Sequence, residues 1–280
     1  MVRGQAVSKK KLAVFTICSN NYVAYARTLL NCVRLHHPDA DRFLCLVDAP
    51  LKMEGLYPDD CQLILASDLG IPDFETFAFQ YQLLEINTAV KPFVILRLFE
   101  QDYDQVIYFD PDIELFRPLD SVTDALQNGA SFVLTPHVCL PADDDWAPND
   151  VTFMQAGIYN LGFLACGRQS DSERLLRWWA RRLRYQCISK PEFGIFVDQK
   201  FMDLIPGFSD NCRILRDPTL NVAYWNLSQR SLQREGRSWL VDGQPLPFSI
   251  SAVSNLAIWP CCRSTRTCFA ENKFLRQSKK

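Results

Sequence analysis

Short apolar runs alternate along the chain with longer segments whose apolar positions recur every three or four residues, and this pattern predicts an α/β protein. Leu12 to Cys18 reads as a strand, Ser19 to Asn21 as a polar turn, and Tyr22 to His36 as a helix, with Val23, Ala26, Leu29, Leu30 and Val33 on one face. Arg42 to Val47 follows as a second strand and Gln62 to Ala66 as a third, so the chain opens as a right-handed βαβ unit. Phe74 to Phe99 reads as largely helical, interrupted at Pro92, where a new helix begins because proline suits a first turn. Further on, a helix is expected from Arg117 to about Leu126, a strand from Ala130 to Thr135, a strand within Gln155 to Gly167, and a helix from Ser170 to Cys187.

The run that organises the rest is Val-Ile-Tyr-Phe-Asp-Pro-Asp-Ile-Glu-Leu-Phe, Val106 to Phe116. Val106 to Phe109 is uncharged, β-branched or aromatic throughout, as expected of a strand buried on both faces. It ends at Asp110 and Asp112 around Pro111, which turns the chain just past the strand end and keeps the two acids close. Asp and Pro are also ordinary turn formers. Two carboxylates at the carboxyl end of a buried strand, however, sit where open α/β sheets bind ligands. A hard divalent cation carrying phosphate oxygens would relieve their repulsion.

This Tyr-Phe-Asp-Pro-Asp resembles the Asp-x-Asp signature of the GT-A glycosyltransferases, in particular the retaining, glycogenin- and lipopolysaccharide galactosyltransferase-like family eight. Three further segments resemble that family in its order: Asn160-Leu161-Gly162, Asp198-Gln199, and the Trp225-Asn226 that closes Asn221 to Leu227. The resemblance runs from about Leu12 to Leu227 and implies a GT-A fold, a Rossmann-like, mostly parallel mixed sheet flanked by helices, over residues 1–248. It implies transfer of a sugar from a nucleotide sugar, a UDP-sugar first among donors, with retention and with Mn²⁺ or Mg²⁺ as cofactor. Asp110 and Asp112 would hold the metal, and Asp110 would also touch the donor. Thr16 and Tyr22 match the hydroxyl and aromatic that hold the nucleotide base. Lys91, with Arg97 behind it, matches a basic residue that contacts the donor. Gly162 and Asn160 would border the sugar, Asp198 and Gln199 would lie beneath it, and Trp225 would wall it.

Each residue also has a plain structural reading. Tyr22 and Trp225 serve equally as core aromatics, Arg97 as a solvated helix charge, Asn160-Leu161-Gly162 as a bulge, and Asp198 as a helix cap. Asp198 is the candidate if a covalent nucleophile exists, with front-side attack the alternative. A two-carboxylate glycoside hydrolase and a non-catalytic sugar-nucleotide-binding module are the competing functions. Pro136 to Asp150, with three prolines and Asp143-Asp144-Asp145, reads as a flap beside the donor pocket.

Composition narrows this picture. At 280 residues, 48% hydrophobic, the chain has enough apolar material for a large core. A net charge of −2 offers no general attraction to nucleic acid. No apolar run reaches the roughly 18 residues of a membrane span and the start lacks a signal-like apolar segment, so a cytoplasmic enzyme is expected, peripheral membrane contact being left open. The 11 cysteines form no Cys-x-x-Cys pair and read as free thiols. There is no Gly-x-Gly-x-x-Gly and no P-loop. A carbohydrate, lipid-linked or protein acceptor remains open.

The end of the chain breaks the pattern. Family-eight enzymes usually add a histidine near the C-terminus as third metal ligand, yet the last histidine here is His137. From Ser249 periodicity fades. Back-translating Phe248 to Val253 with permitted codons and reading from the third base gives Phe-His-Phe-Ser-Gly, similar to the family's His-x-Ser-Gly. We read residues 249–280 as an irregular, frameshifted end that leaves the metal site one ligand short, with a divergent tail as the alternative. The encoding DNA decides: a stop or no histidine codon in the shifted frame removes the idea.

Overall fold

The computed structural model describes residues 10–141, 147–236 and 238–250. In chain order, β1 (Leu12–Cys18), α1 (Val23–His36), β2 (Asp41–Leu46) and β3 (Gln62–Leu65) form the opening unit. Helices α2 (Phe74–Phe79), α3 (Leu83–Ala89) and α4 (Lys91–Glu100) lead to β4 (Gln105–Phe109) and β5 (Ile113–Leu115). Next come α5 (Asp120–Gln127), β6 (Phe132–Leu134), α6 (Asp150–Ala156), β7 (Phe163–Gly167) and α7 (Ser170–Gln186). The hairpin of β8 (Ser189–Lys190) and β9 (Ile195–Phe196) precedes α8 (Gln199–Met202), α9 (Ile205–Phe208) and β10 (Cys212–Ile214). Strands β11 (Leu232–Glu235), β12 (Ser238–Val241), β13 (Gln244–Pro245) and β14 (Phe248–Ile250) close the described chain.

Seven strands make one mixed, mostly parallel sheet in the order β10-β6-β7-β4-β1-β2-β3. Only β7 is reversed, antiparallel to both β4 and β6. From β1 the chain steps outward through β2 to β3, then returns across the sheet to β4 on the other flank of β1, in register Phe15 with Tyr108. The crevice at the carboxyl ends of β1 and β4 is therefore a topological switch point, where open α/β sheets take ligands.

The five residues of β4 are all buried because both faces are covered. Val106 and Tyr108 join Phe15, Leu98 and Trp179 under α4 and α7, whereas Ile107 and Phe109 join Val14, Leu29, Val122 and Phe163 under α1 and α5. Phe248 of β14 packs into this second layer against Phe109 and Phe163, with ring centroids 5.5 and 5.3 Å away. Strand β14 pairs with β5, Ser249 opposite Glu114 and Ile250 opposite Ile113, so the first two residues of the expected irregular end lie in the fold. Residues 251–280 lie outside the described residues, and so does most of the question of a frameshifted end.

Two expectations change. Phe74 to Phe99 is three helices, not one interrupted at Pro92: Gln82 restarts the chain at α3, its amide donating to Glu85 Oε2 at 2.9 Å, and α4 starts at Lys91 with Pro92 in its first turn. Within 155–167, Gln155 and Ala156 belong to α6 and the strand begins only at Phe163. Asn149 Oδ1 accepts from Thr152 N to start α6, and Gly157 at φ 127° ends it. Asn160 and Gly162 thus lie on the approach to β7 and not inside it. The acidic run Asp143 to Asp145 lies outside the described residues; Pro148 and Asn149 lead into α6. No helix among the described residues is long and apolar enough to cross a membrane.

Candidate functional site

At the end of β4, Ile113 N donates to Asp110 O at 3.1 Å and closes the turn expected of Asp-Pro-Asp, leaving Asp110 and Asp112 half-buried. Asp110 N donates to Gly162 O at 2.7 Å, carrying the β4–β7 pairing one step past the strand end. Gly162 is needed there. A Cβ on it would lie 2.8 Å from Asn160 Oδ1 and 3.1 Å from Asp110 Oδ2. Asn160 Oδ1 meanwhile accepts from Gly162 N at 2.5 Å, a side chain-to-backbone bond that fixes the loop locally.

Beneath this turn lies an ion pair that the chain brings together over 107 residues. Lys91 Nζ meets Asp198 Oδ2 at 2.5 Å, both side chains 1% exposed, and also donates to Leu161 O at 2.8 Å. It stands 4.2 Å from the centroid of the Tyr108 ring. Burial pushes the Asp198 carboxyl up from its ordinary range, Lys91 pulls it back down, and nearby Asp110 pushes it up again. The backbone of Asp198 is tied down as well, its carbonyl accepting from Trp179 Nε1 at 3.2 Å. Its side chain makes no helix cap, so the capping role is not the one it takes.

Lys91 therefore differs from its expected place. An ammonium at the start of α4 reads in sequence as a phosphate contact, but the side chain turns inward, where a buried carboxylate and a carbonyl accept its hydrogen bonds. Gln199 likewise uses both ends of its amide on the loop before β7, Oε1 accepting from Leu161 N at 3.1 Å and Nε2 donating to Ala156 O at 2.9 Å. Arg97 is not brought in: it reaches Glu100 at 3.8 Å on the solvent face of α4.

The other wall is the end of β1. Thr16 is buried within the strand and its hydroxyl has no hydrogen-bond partner. The polar groups past the strand end are Ser19 and Asn20. Ser19 Oγ accepts from Asn87 Nδ2 at 3.0 Å, and Asn20 N donates to Asp48 Oδ2 at 2.7 Å. Tyr22, 44% exposed, stacks on Tyr25 with centroids 5.2 Å apart. Trp225 packs edge-on to His137 at 5.4 Å, and His137 stacks on Phe153 at 5.6 Å. Asn226 Nδ2 donates to His137 O at 2.9 Å, anchoring the Trp-Asn segment against the chain after β6. Burial pulls the His137 ring down to about 4, so it is neutral.

One residue at the centre carries no sequence flag of its own. Tyr108 donates its hydroxyl to Asp110 Oδ1 at 2.5 Å, and Asp198 and Asp112 are close enough for their charge to act on it. Its spacing from Asp110, two residues along a strand and so on the same face, is the signal that could have found it.

Asp110 and Asp112 offer only hard oxygen donors, which suit Mg²⁺ or Mn²⁺. Among the described residues no three His, Cys, Asp or Glu side chains converge.

No protein-family model matches the chain, and no curated protein matches it. Its path is similar to that of the galactosyltransferase LgtC in complex with donor and acceptor sugar analogs, at 16% identity and TM-score 0.44, covering 75% of this chain and 74% of that one. It is similar as well to a glycosyltransferase involved in glycosylation of the major capsid of PBCV-1, at 10% identity and TM-score 0.49, covering 95% and 99%. Mouse xyloside xylosyltransferase 1 in its apo form is similar at 14% identity and TM-score 0.47, covering 77% and 89%.

Proposed function

We propose that the chain transfers a sugar from a nucleotide-sugar donor, a UDP-sugar, to a hydroxyl acceptor with retention of configuration. The observation that carries this reading is the placing of Asp110 and Asp112 at the carboxyl end of β4, on the switch point, with Asp110 joined through Tyr108 to the buried Lys91–Asp198 pair. The donor would lie across the ends of β1 and β4. Ser19, Asn20 and the exposed ring of Tyr22 would face its nucleoside, and Gly162, with no side chain, lets Asn160 and Asp110 pack close beside the proposed sugar position.

Asp110 and Asp112 would hold Mn²⁺ or Mg²⁺, and when bound such a cation offsets the charge that develops on a diphosphate leaving group. The protein's own part is geometric and electrostatic. Lys91 is the counter-ion of Asp198 and holds it in place instead of meeting the phosphates. Asp198, buried and engaged through Oδ2, places fixed negative charge beneath the sugar, where it stabilises positive charge at the anomeric carbon. Lys91 engages only Oδ2, so front-side attack and a covalent intermediate through the other oxygen of Asp198 are both compatible with this arrangement. Gln199 positions the loop carrying Asn160 and Leu161. Trp225 with neutral His137 forms an aromatic wall on the opposite flank.

Isothermal titration with UDP, with and without Mn²⁺, paired with a UDP-sugar hydrolysis assay in Mn²⁺ or EDTA, tests the proposal. We expect Mn²⁺-dependent binding and EDTA-sensitive turnover, both lost in Asp110→Asn and in Asp112→Asn while the far-UV spectrum and melting temperature hold. Binding without turnover supports a non-catalytic sugar-nucleotide module, activity in EDTA supports a hydrolase, and absence of Mn²⁺-dependent UDP binding by the unaltered protein overturns the proposal.

A further inference from the structure

We infer that Tyr108 is a positioning residue: its hydroxyl fixes the rotamer of Asp110 and so sets which carboxylate oxygen is presented to a divalent cation. This rests on the reading of Asp110 as a metal ligand. Asp110 Oδ1 accepts the Tyr108 hydroxyl at 2.5 Å. The other oxygen, Oδ2, lies against Gly162, 3.1 Å from where a Cβ would stand. The backbone of Asp110 is held on both sides, by its amide to Gly162 O and its carbonyl from Ile113 N. With these contacts made, the carboxylate has one orientation, and Oδ2 is the oxygen not engaged by Tyr108.

What fixes Tyr108 is equally specific. It is 2% exposed, its ring packs on Phe15 with centroids 5.0 Å apart at 50°, and Lys91 Nζ lies 4.2 Å from its ring centre. Lys91 in turn is held by Asp198 and Leu161 O. A continuous chain of contacts thus runs Asp198, Lys91, Tyr108, Asp110, from beneath the proposed sugar position to the proposed metal position. Residues behind a ligand commonly set its orientation, and their loss typically weakens metal binding about 10- to 100-fold.

Tyr108→Phe tests this, because it keeps the ring, its packing and the cation–π contact and removes only the hydroxyl. Mn²⁺ binding is read by the loss of the free-ion electron paramagnetic resonance signal, with saturating UDP present, alongside the melting temperature and metal-free UDP affinity. We expect Mn²⁺ affinity to fall about tenfold, with metal-free UDP affinity unchanged and the melting temperature nearly so. A second variant, Tyr108→Leu, should lose the same affinity and also lower the melting temperature, separating the hydroxyl from the ring. If the unaltered protein binds Mn²⁺ with UDP and Tyr108→Phe binds it equally well, the positioning role is wrong. If the unaltered protein binds no Mn²⁺, the reading of Asp110 and Asp112 fails first.

Discussion

Removing one member of the Lys91–Asp198 pair should cost far more than removing both. Each side chain is 1% exposed and the charged atoms are 2.5 Å apart, so deleting either leaves a charge stranded in the interior. Uncompensated buried charges typically cost about 3–5 kcal/mol, whereas replacing a whole buried pair by apolar groups of similar volume is often near neutral. Lys91→Met keeps the length of the stem, and Asp198→Asn keeps the shape of the carboxylate. Each single variant should lose roughly 3–5 kcal/mol, and the double variant should recover at least ~2 kcal/mol against the sum of the singles. The sign with pH follows from the direction in which burial moves Asp198. In Lys91→Met the downward pull on its carboxyl is gone and burial raises it further. The neutral, protonated acid is then the form the fold tolerates, so this variant should regain stability as pH falls through the raised range of the Asp198 carboxyl. Urea unfolding at several pH values, followed by fluorescence and circular dichroism together, measures all four corners of the cycle. Two outcomes would refute the reasoning: single variants each within 1 kcal/mol of the parent, or additive losses. If Lys91 met a diphosphate instead, Lys91→Met would leave stability untouched and weaken UDP binding while sparing uridine.

Two further changes follow from distances already described. His137 is neutral in the fold with its ring pulled down to about 4, while an unfolded histidine takes its proton near 6.5, so it contributes stability above pH 6.5 that is lost as pH falls towards 4. That contribution is ~3 kcal/mol when fully present; His137→Phe keeps the stacking on Phe153 and should flatten the melting-temperature profile between pH 6.5 and 4, and an identical profile would count against it. In Gly162→Ala the new Cβ would press on Asn160 Oδ1 at 2.8 Å and Asp110 Oδ2 at 3.1 Å, and Asn160 cannot withdraw without breaking its 2.5 Å bond to residue 162. We expect a loss of about 1–3 kcal/mol in stability and a clear fall in Mn²⁺-dependent UDP affinity by calorimetry; wild-type values for both would show that the turn has slack.

The sequence made the sheet legible where burial is two-sided, since a run such as Val106 to Phe109 has no competing reading. It misled where a side chain bonds its own backbone. Asn160 takes the amide of Gly162, so a segment apolar enough for a strand turns before β7 begins. The Asp242-Gly243 turn between β12 and β13, at φ 50° and 77°, carries a recognisable two-residue hairpin signal, but the flanking strands, four and two residues long, are too short for periodicity to reveal them. Arg97 could have been set aside on geometry alone. At 3.6 residues per turn, six residues from Lys91 come round to about 240° from it, and a residue facing solvent there cannot share a pocket with one facing the core.

The inward turn of Lys91 had no such local clue, and the reason is physical. A lysine at a helix start reads as a free cation until its partner is known, and that partner is Asp198, brought to it only when α7, the β8–β9 hairpin and the return at Val197 have closed over α4. Val197 itself sits at φ 41°, a strained value for a β-branched residue, immediately before Asp198. Its amide is held by Ile188 O at 3.0 Å, so the hairpin fixes the strained residue that aims the carboxylate. The cost of that conformation is offset by packing, since Val197 is 3% exposed within the layer that holds Leu98 and Trp179. The fold thus commits backbone strain, a buried ion pair and an aromatic contact to a single object, the orientation of Asp198 and Asp110 at the end of β4. Packing alone would have been satisfied by apolar residues at 91 and 198, so it is the charge at those positions, and not the volume, that packing leaves unaccounted for.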